Sequence, residues 1–280
     1  MQNAASDSET FSGDLHNLAK HTSGKPERRL QTCATLAPDH AGFYPVLPSS
    51  VATMRDMSPE LGKVSKSQLL RRFLLKFKEL KERKNLLQFV ASITAAAERI
   101  RKEFGRLDLL VNNAAISNTT KQPGMSIAEY AKLTRPSNVS LDEVRAVWET
   151  NVFGILAVYQ AMLPLLRESS AGRVVNVSSS IGSLVDNATA GFAYRAIFGP
   201  VYPASKAALN AITLAMMIEL ESTGINVNLV SPGFTKTNLN GYAGTESLED
   251  GSREVVRAAL LGPDGPTGTF TRWENVTIPW

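Results

Sequence analysis

The sequence predicts an α/β fold over residues 91–280, a mainly parallel sheet doubly wound by helices. Three observations carry this reading. Short apolar runs recur at Leu107–Val111, Arg173–Val177 and Ile225–Val230, and they suit strands buried on both faces. Longer segments between them place apolar residues at three- and four-residue steps, the helical period. The two kinds alternate, and strands alternating with crossover helices give parallel pairing with helices on both faces.

Residues 1–64 are polar, with scattered Ser, Pro and Thr and no sustained period, and read as disordered or weakly structured. Residues 65–90 read as a basic amphipathic helix. Leu69, Leu70, Phe73, Leu74, Phe77 and Leu80 form its apolar stripe, with Arg71, Arg72, Lys76, Lys78 and Lys81 between them. From Ile93 to Phe104 a helix runs to a stop at Gly105, and a strand follows over 107–111. Ser140-Leu-Asp-Glu143 has the form of a capping box and opens a long helix carrying Trp148, Val152 and Ile155. A second strand follows at 173–177, and an Ala-rich helix spans Tyr202 to about Glu221. The third strand, 225–230, ends at Ser231-Pro-Gly233, and Gly268–Thr271 can form a fourth.

Composition narrows the chemistry. The three histidines, His16, His21 and His40, all precede the α/β region, so that region has no Ser-His-Asp triad and no His-ligated metal site. Proton transfer near neutral pH there falls to a carboxylate, Lys or Tyr. Cys33 is alone, so no internal disulfide forms. No apolar run reaches the 18 or so residues of a membrane span, and the N-terminus lacks a secretory pattern, so a cytoplasmic location is expected. Of the net charge of +4, the segment Lys66–Lys84 holds eight basic and two acidic residues, a local +6, which leaves the remainder at −2. Nucleic-acid binding is therefore not expected, and membrane contact would rest on 65–88 alone. A packing face is the simpler role for that stripe.

Four chemistry-bearing pieces follow one another: Asn112-Asn-Ala-Ala115, Asn151 within a helix, Ser178-Ser-Ser180 after a strand, and Tyr202-Pro-Ala-Ser-Lys206. Each alone is weak, since a Tyr and a Lys four apart are ordinarily surface residues. Their spacing has a physical reason. Residues i and i+4 share one helix face, so Lys206 stands one turn from Tyr202, where its charge should lower the phenol's pKa.

In this order and with these elements between them, the four pieces closely resemble the short-chain dehydrogenase/reductase family over about 91–280. The resemblance implies a Rossmann-like sheet and an NADP(H)- or NAD(H)-dependent oxidoreductase acting on a small-molecule carbonyl or alcohol. It implies Tyr202 as proton donor and Ser179, chosen by its spacing to Gly182, as the group holding the carbonyl oxygen. Lys206 would stabilise the phenolate and bind the nicotinamide ribose, and Asn151 would position a water. Asn112 and Ala114 would line the adenosine side. Pro232, Gly233, Thr235 and Thr237 would approach the nicotinamide amide. The 22 residues between Ser179 and Tyr202, and the C-terminal segment, resemble the carbonyl-reductase branch, which favours NADP(H) over NAD(H). Pairing through the helices at 140–167 and 202–221 would give a homo-oligomer.

Two departures stand out. Ala115 replaces the family's Gly. Residues 1–90 contain only Gly13, Gly24, Gly42 and Gly62, so no glycine-rich turn can cradle a pyrophosphate there. The resemblance thus implies a sheet lacking its first three strands, with the strand at 107–111 left as an exposed apolar edge. The alternative reading is a non-catalytic remnant or interaction protein unable to bind the cofactor.

Overall fold

The computed structural model describes Leu30–Gln31, Thr53–Met54 and residues 86–280. The first two pairs are short strands, β1 and β2, joined antiparallel. The irregular region expected over 1–64 otherwise lies outside the described residues, and so does the basic helix expected over 65–90 except for 86–90, which open a helix that runs on across the expected boundary. The first described helix, α1, is Leu86–Phe104.

The main sheet has five strands in the order β3 (Leu109–Asn112), β4 (Arg173–Val177), β5 (Asn226–Val230), β6 (Phe270–Arg272) and β7 (Val276–Thr277). The first four run parallel, and β7 returns antiparallel to β6. Alternate side chains point to opposite faces of each strand, and both faces are packed. Leu110, Val174, Val227 and Leu229 face a large core shared with α1, with α4 (Ile155–Leu166) and with α6 (Tyr202–Leu220). Leu109, Val111, Val175, Val177 and Val230 face a smaller one under α7 (Leu248–Ala259). This is the doubly wound, mainly parallel sheet that the apolar runs predict.

Several boundaries move for identifiable reasons. Leu107 is fully buried but sends its N–H to the Leu165 carbonyl at the end of α4, 3.0 Å away, so the strand starts at Leu109. Gly268 has a left-handed φ of 74°, so β6 begins after it at Phe270. The short β7 is an addition, reached through a turn in which Asn275 takes φ of 56°. Helix α1 ends as expected at Gly105, whose φ of 77° suits a residue without a Cβ.

The long helix opening at Ser140 is three pieces. Helix α3 is Leu141–Trp148, a π-helical segment covers Glu149–Gly154, and α4 continues. Leu141–Leu166 together are long and apolar enough to cross a bilayer, yet most of the stretch is buried inside the fold, as befits a core helix. Ser140 caps α3 by accepting from the Asp142 N–H at 3.2 Å. The capping box is not formed, because Glu143 turns away to the 119–130 loop.

Strand β3 closes the sheet order, yet all four of its residues are buried. The exposed apolar edge anticipated from the sequence is therefore not seen. Both faces of β3 are covered by the two cores, and β1 lies beside it.

The larger core should dominate stability. Leu229→Ala, at a position with 0% exposure, is expected to cost about 2–5 kcal/mol in urea unfolding. Leu141→Ala, at a position 64% exposed, should stay within about 0.5 kcal/mol of the parent.

Candidate active site

The parallel strands β3, β4 and β5 end side by side, and the loops leaving them form one crevice, where doubly wound sheets bind ligands. Asn112 ends β3, the Ser178–Gly182 turn follows β4, and Ser231-Pro-Gly233 follows β5. Helix α6 lies against this end of the sheet. Pro203 sits in its first turn, where the missing N–H costs nothing.

Tyr202 and Lys206 share one face of α6. The Lys206 side chain is 1% exposed and its Nζ donates to the Val177 carbonyl at 2.9 Å. The same Nζ stands 5.7 Å from the centre of the Tyr202 ring. Ser179 faces the Tyr202 hydroxyl from the turn. Its Oγ also accepts from the Ile181 N–H at 3.4 Å, which starts the 3-10 turn Ser180–Gly182. Gly182 must be glycine, since a Cβ there would stand 2.8 Å from the Lys206 carbonyl carbon.

Burial governs the acidities. It pushes the Tyr202 phenol up to about 12, with only the Ser179 hydroxyl pulling downward. It pushes the Lys206 amine down to about 7. The expectation that Lys206 lowers the Tyr202 pKa is thus corrected. Desolvation disfavours both charged forms, and an amine titrating near neutrality carries only part of its charge there.

Asn151 lies fully buried in the π-helical segment. Its Nδ2 donates to the Ile116 carbonyl at 2.8 Å and to Ser205 Oγ at 3.0 Å, and its Oδ1 accepts from the Ile116 N–H at 2.9 Å. Ser205 in turn donates to the Tyr202 carbonyl at 2.7 Å. Both Asn151 amide hydrogens are committed, so the side chain clamps the loop after β3 and the start of α6.

Asn112 is fully buried and donates from Nδ2 to Asn176 Oδ1 at 2.8 Å. Its own Oδ1 is buried with no partner among the described residues. Ala114 follows it, half-buried. After β5, Gly233 leaves no room for a Cβ beside the Glu246 carboxylate. Thr235 turns its hydroxyl inward to the Gly233 carbonyl at 2.9 Å. Thr237 caps the 3-10 turn Asn238–Asn240. Pro232 precedes Gly233 at the mouth of β5.

A nicotinamide nucleotide suits one half of this crevice. The Pro232-Gly233 turn and the Lys206–Tyr202 face could line the nicotinamide end, and the unpartnered Asn112 oxygen lies toward the adenosine side expected of it. The pyrophosphate end differs, since residues 1–90 supply no glycine cluster for it.

Some organising residues carry no sequence signal strong enough to single out. Glu143 is buried and accepts from the Thr119 N–H at 2.8 Å, the Thr120 N–H at 3.3 Å, the Thr119 hydroxyl and the Tyr130 hydroxyl. It pins the loop beside the crevice. These donors hold its carboxyl below the usual range despite burial, and burial first, then the Glu143 contact, pushes the Tyr130 phenol upward. Asn210 is one helical turn past Lys206, and that spacing could have flagged it.

The comparisons agree with this geometry. Residues 85–247 match the family model described as short chain dehydrogenase. Short-chain dehydrogenase anuI of Penicillium roqueforti (strain FM164) is 39% identical over 192 residues, covering 67% of this chain and 71% of its own. The structure of salutaridine reductase from Papaver somniferum has a TM-score of 0.51 at 29% identity, covering 65% of this chain and 78% of the reductase. A Burkholderia multivorans protein assigned to the short-chain dehydrogenases/reductases, solved with bound NADP, has a TM-score of 0.53 at 25% identity and covers 68% of this chain and 73% of its own.

The depressed Lys206 pKa sets a pH dependence. Between about 7 and the ordinary 10.5 the unfolded chain holds one more proton at this site, so stability rises with pH across that window. From pH 7 to 9 the parent should gain about 2 kcal/mol relative to Lys206→Met in urea unfolding. Parallel pH profiles for the two proteins would contradict the burial assigned to this amine.

Proposed function

This chain belongs to the short-chain dehydrogenase family, and from that premise we propose that it is an NADP(H)-dependent reductase converting a small-molecule carbonyl to an alcohol, with Tyr202 as proton donor. The observation that carries the reading is the convergence of Tyr202, Ser179 and Lys206 at the carboxyl ends of β4 and β5. The NADP bound to the Burkholderia protein and the reductase named among the relatives support the choice of cofactor and direction. So does the long Ser179–Tyr202 interval, which resembles carbonyl reductases.

The cofactor, when bound, supplies a hydride to the carbonyl carbon. Ser179 Oγ holds the carbonyl oxygen. Tyr202, with a phenol near 12, keeps its proton at neutral pH until an alkoxide develops beside it, and then gives that proton up. The phenolate left behind is an anion one helical turn from Lys206. It favours the protonated form of that amine over the neutral one. One hydride and one proton added to the carbonyl complete the alcohol.

A second reading is favoured by one observation, the lack of any glycine cluster in residues 1–90. In it the chain keeps the rear of the fold as an interaction protein and binds no nucleotide.

Fluorescence titration with NADPH, and with NADH in parallel, separates the two. The reductase reading expects saturable binding, tighter for NADPH, followed by turnover on an aldehyde and ketone panel. Tyr202→Phe should then lower kcat by about 10²–10⁴-fold while leaving NADPH binding and folding in place. A folded, monodisperse sample that binds neither nucleotide up to millimolar concentration overturns it in favour of the second reading.

A further inference from the structure

We infer that Asn210 is a positioning residue, which fastens the Ser178–Gly182 turn, and Ser179 with it, to the face of α6 that bears Tyr202 and Lys206. The inference rests on the reading of that cluster as the reactive site. Asn210 lies four residues past Lys206 and eight past Tyr202, so the three form one stripe along the helix. It is 4% exposed. Its Oδ1 accepts from Ser178 Oγ at 2.5 Å, and its Nδ2 donates to the Gly182 carbonyl at 3.1 Å. One side chain therefore grips both ends of the five-residue turn whose second residue is Ser179.

The other ties of that turn do a different job. Ser178 N–H donates to the Val230 carbonyl at 2.8 Å, and Ser180 N–H donates to Ser231 Oγ at 2.9 Å, and both partners belong to β5 or the loop leaving it. They fix the turn relative to the sheet. Lys206 Nζ to Val177 and Asn176 to Thr213 fix α6 relative to β4 itself. Besides Asn210, the described polar contacts between turn and helix are the Ser179 hydroxyl on Tyr202, which is the reactive pair itself, and Ser178 Oγ to the Lys206 carbonyl at 3.5 Å, at the limit of a hydrogen bond. Gly182 packs on the Lys206 backbone but cannot hold it laterally. Asn210 is thus the group that converts two separately anchored elements into one fixed spacing. A buried amide is costly unless its hydrogen bonds are made, and an apolar residue would fill the same space. The Gly182 end of the turn rests on the Lys206 backbone, so a looser turn would uncover that buried side chain.

The test follows Lys206 directly and needs no turnover. Protein labelled with ¹³C-lysine is titrated by NMR, with the Lys206 signal assigned by its loss in Lys206→Met. In Asn210→Ala the turn should loosen and water should reach the amine, moving its midpoint upward by about one pH unit or more. Ser178→Ala, which removes one of the two grips, should move it in the same direction by less, and it decides the matter if Asn210→Ala does not fold. Thr213→Val serves as the structural control. It breaks the equally buried 2.8 Å bond from Asn176 one turn further on, and it should lower stability while leaving the Lys206 midpoint in place. An unmoved midpoint in the folded variants, or an equal movement in Thr213→Val, overturns the inference. Absence of NADPH binding by the parent would instead sink the reductase reading and leave this result standing.

Discussion

The Lys206 amine, buried beneath the site and donating to the Val177 carbonyl, is the interaction on which the surrounding arrangement depends. An amine removed from water must find acceptors or lose its charge. The sequence answers by setting α6 close enough to the end of β4 for the side chain to reach a backbone oxygen. That closeness dictates the rest. Gly182 has to lack a Cβ where it meets the Lys206 backbone, and the polar groups carried along the same side of the helix all have to be satisfied inside the fold. Asn210 takes the turn, and Thr213 takes Asn176, which in turn takes Asn112 from β3. A polar thread thus runs beneath the crevice from α6 through β4 to β3, surrounded by apolar packing.

A second set of buried groups holds the loop between β3 and α3. Asn151 grips Ile116 from one side, and Glu143 grips Thr119, Thr120 and Tyr130 from the other. Ser117 joins this loop to the segment after β5 through the Leu239 carbonyl at 2.6 Å. A carboxylate with four donors and no cation beside it among the described residues is stable because hydrogen bonds replace its hydration. The walls of the crevice are therefore loops by conformation but are fastened from beneath by side chains of the core helix.

What the sequence reveals follows from which features are local. Apolar runs and helical spacing place β4 to the residue and β3, β5 and α6 within two residues, because both depend on near neighbours alone. The Tyr202–Lys206 pair is legible for the same reason. Asn112 and Ser179 are legible by family resemblance, and the structure brings Ser179 to Tyr202. What escapes is decided by distant contacts. Glu143 has the right position for a capping box, but Thr119 and Tyr130, far from the cap, compete for it successfully. The inward turn of Thr235 depends on Gly233 and Gly251 meeting across a loop. The direction of the Tyr202 shift could not be read from its spacing to Lys206, because charge proximity is local and desolvation is a property of the whole fold.

The π-helical segment at Glu149–Gly154 takes one residue more than an unbroken helix would need there. That extra residue lets Asn151 point into the crevice loop while α4 presents Tyr159, Met162 and Leu166 to the sheet. Removing one residue between Trp148 and Ile155 would turn the π-turn into an α-turn and leave α4 facing the core as before, so the extra residue serves the bulge that carries Asn151 and not the packing of α4.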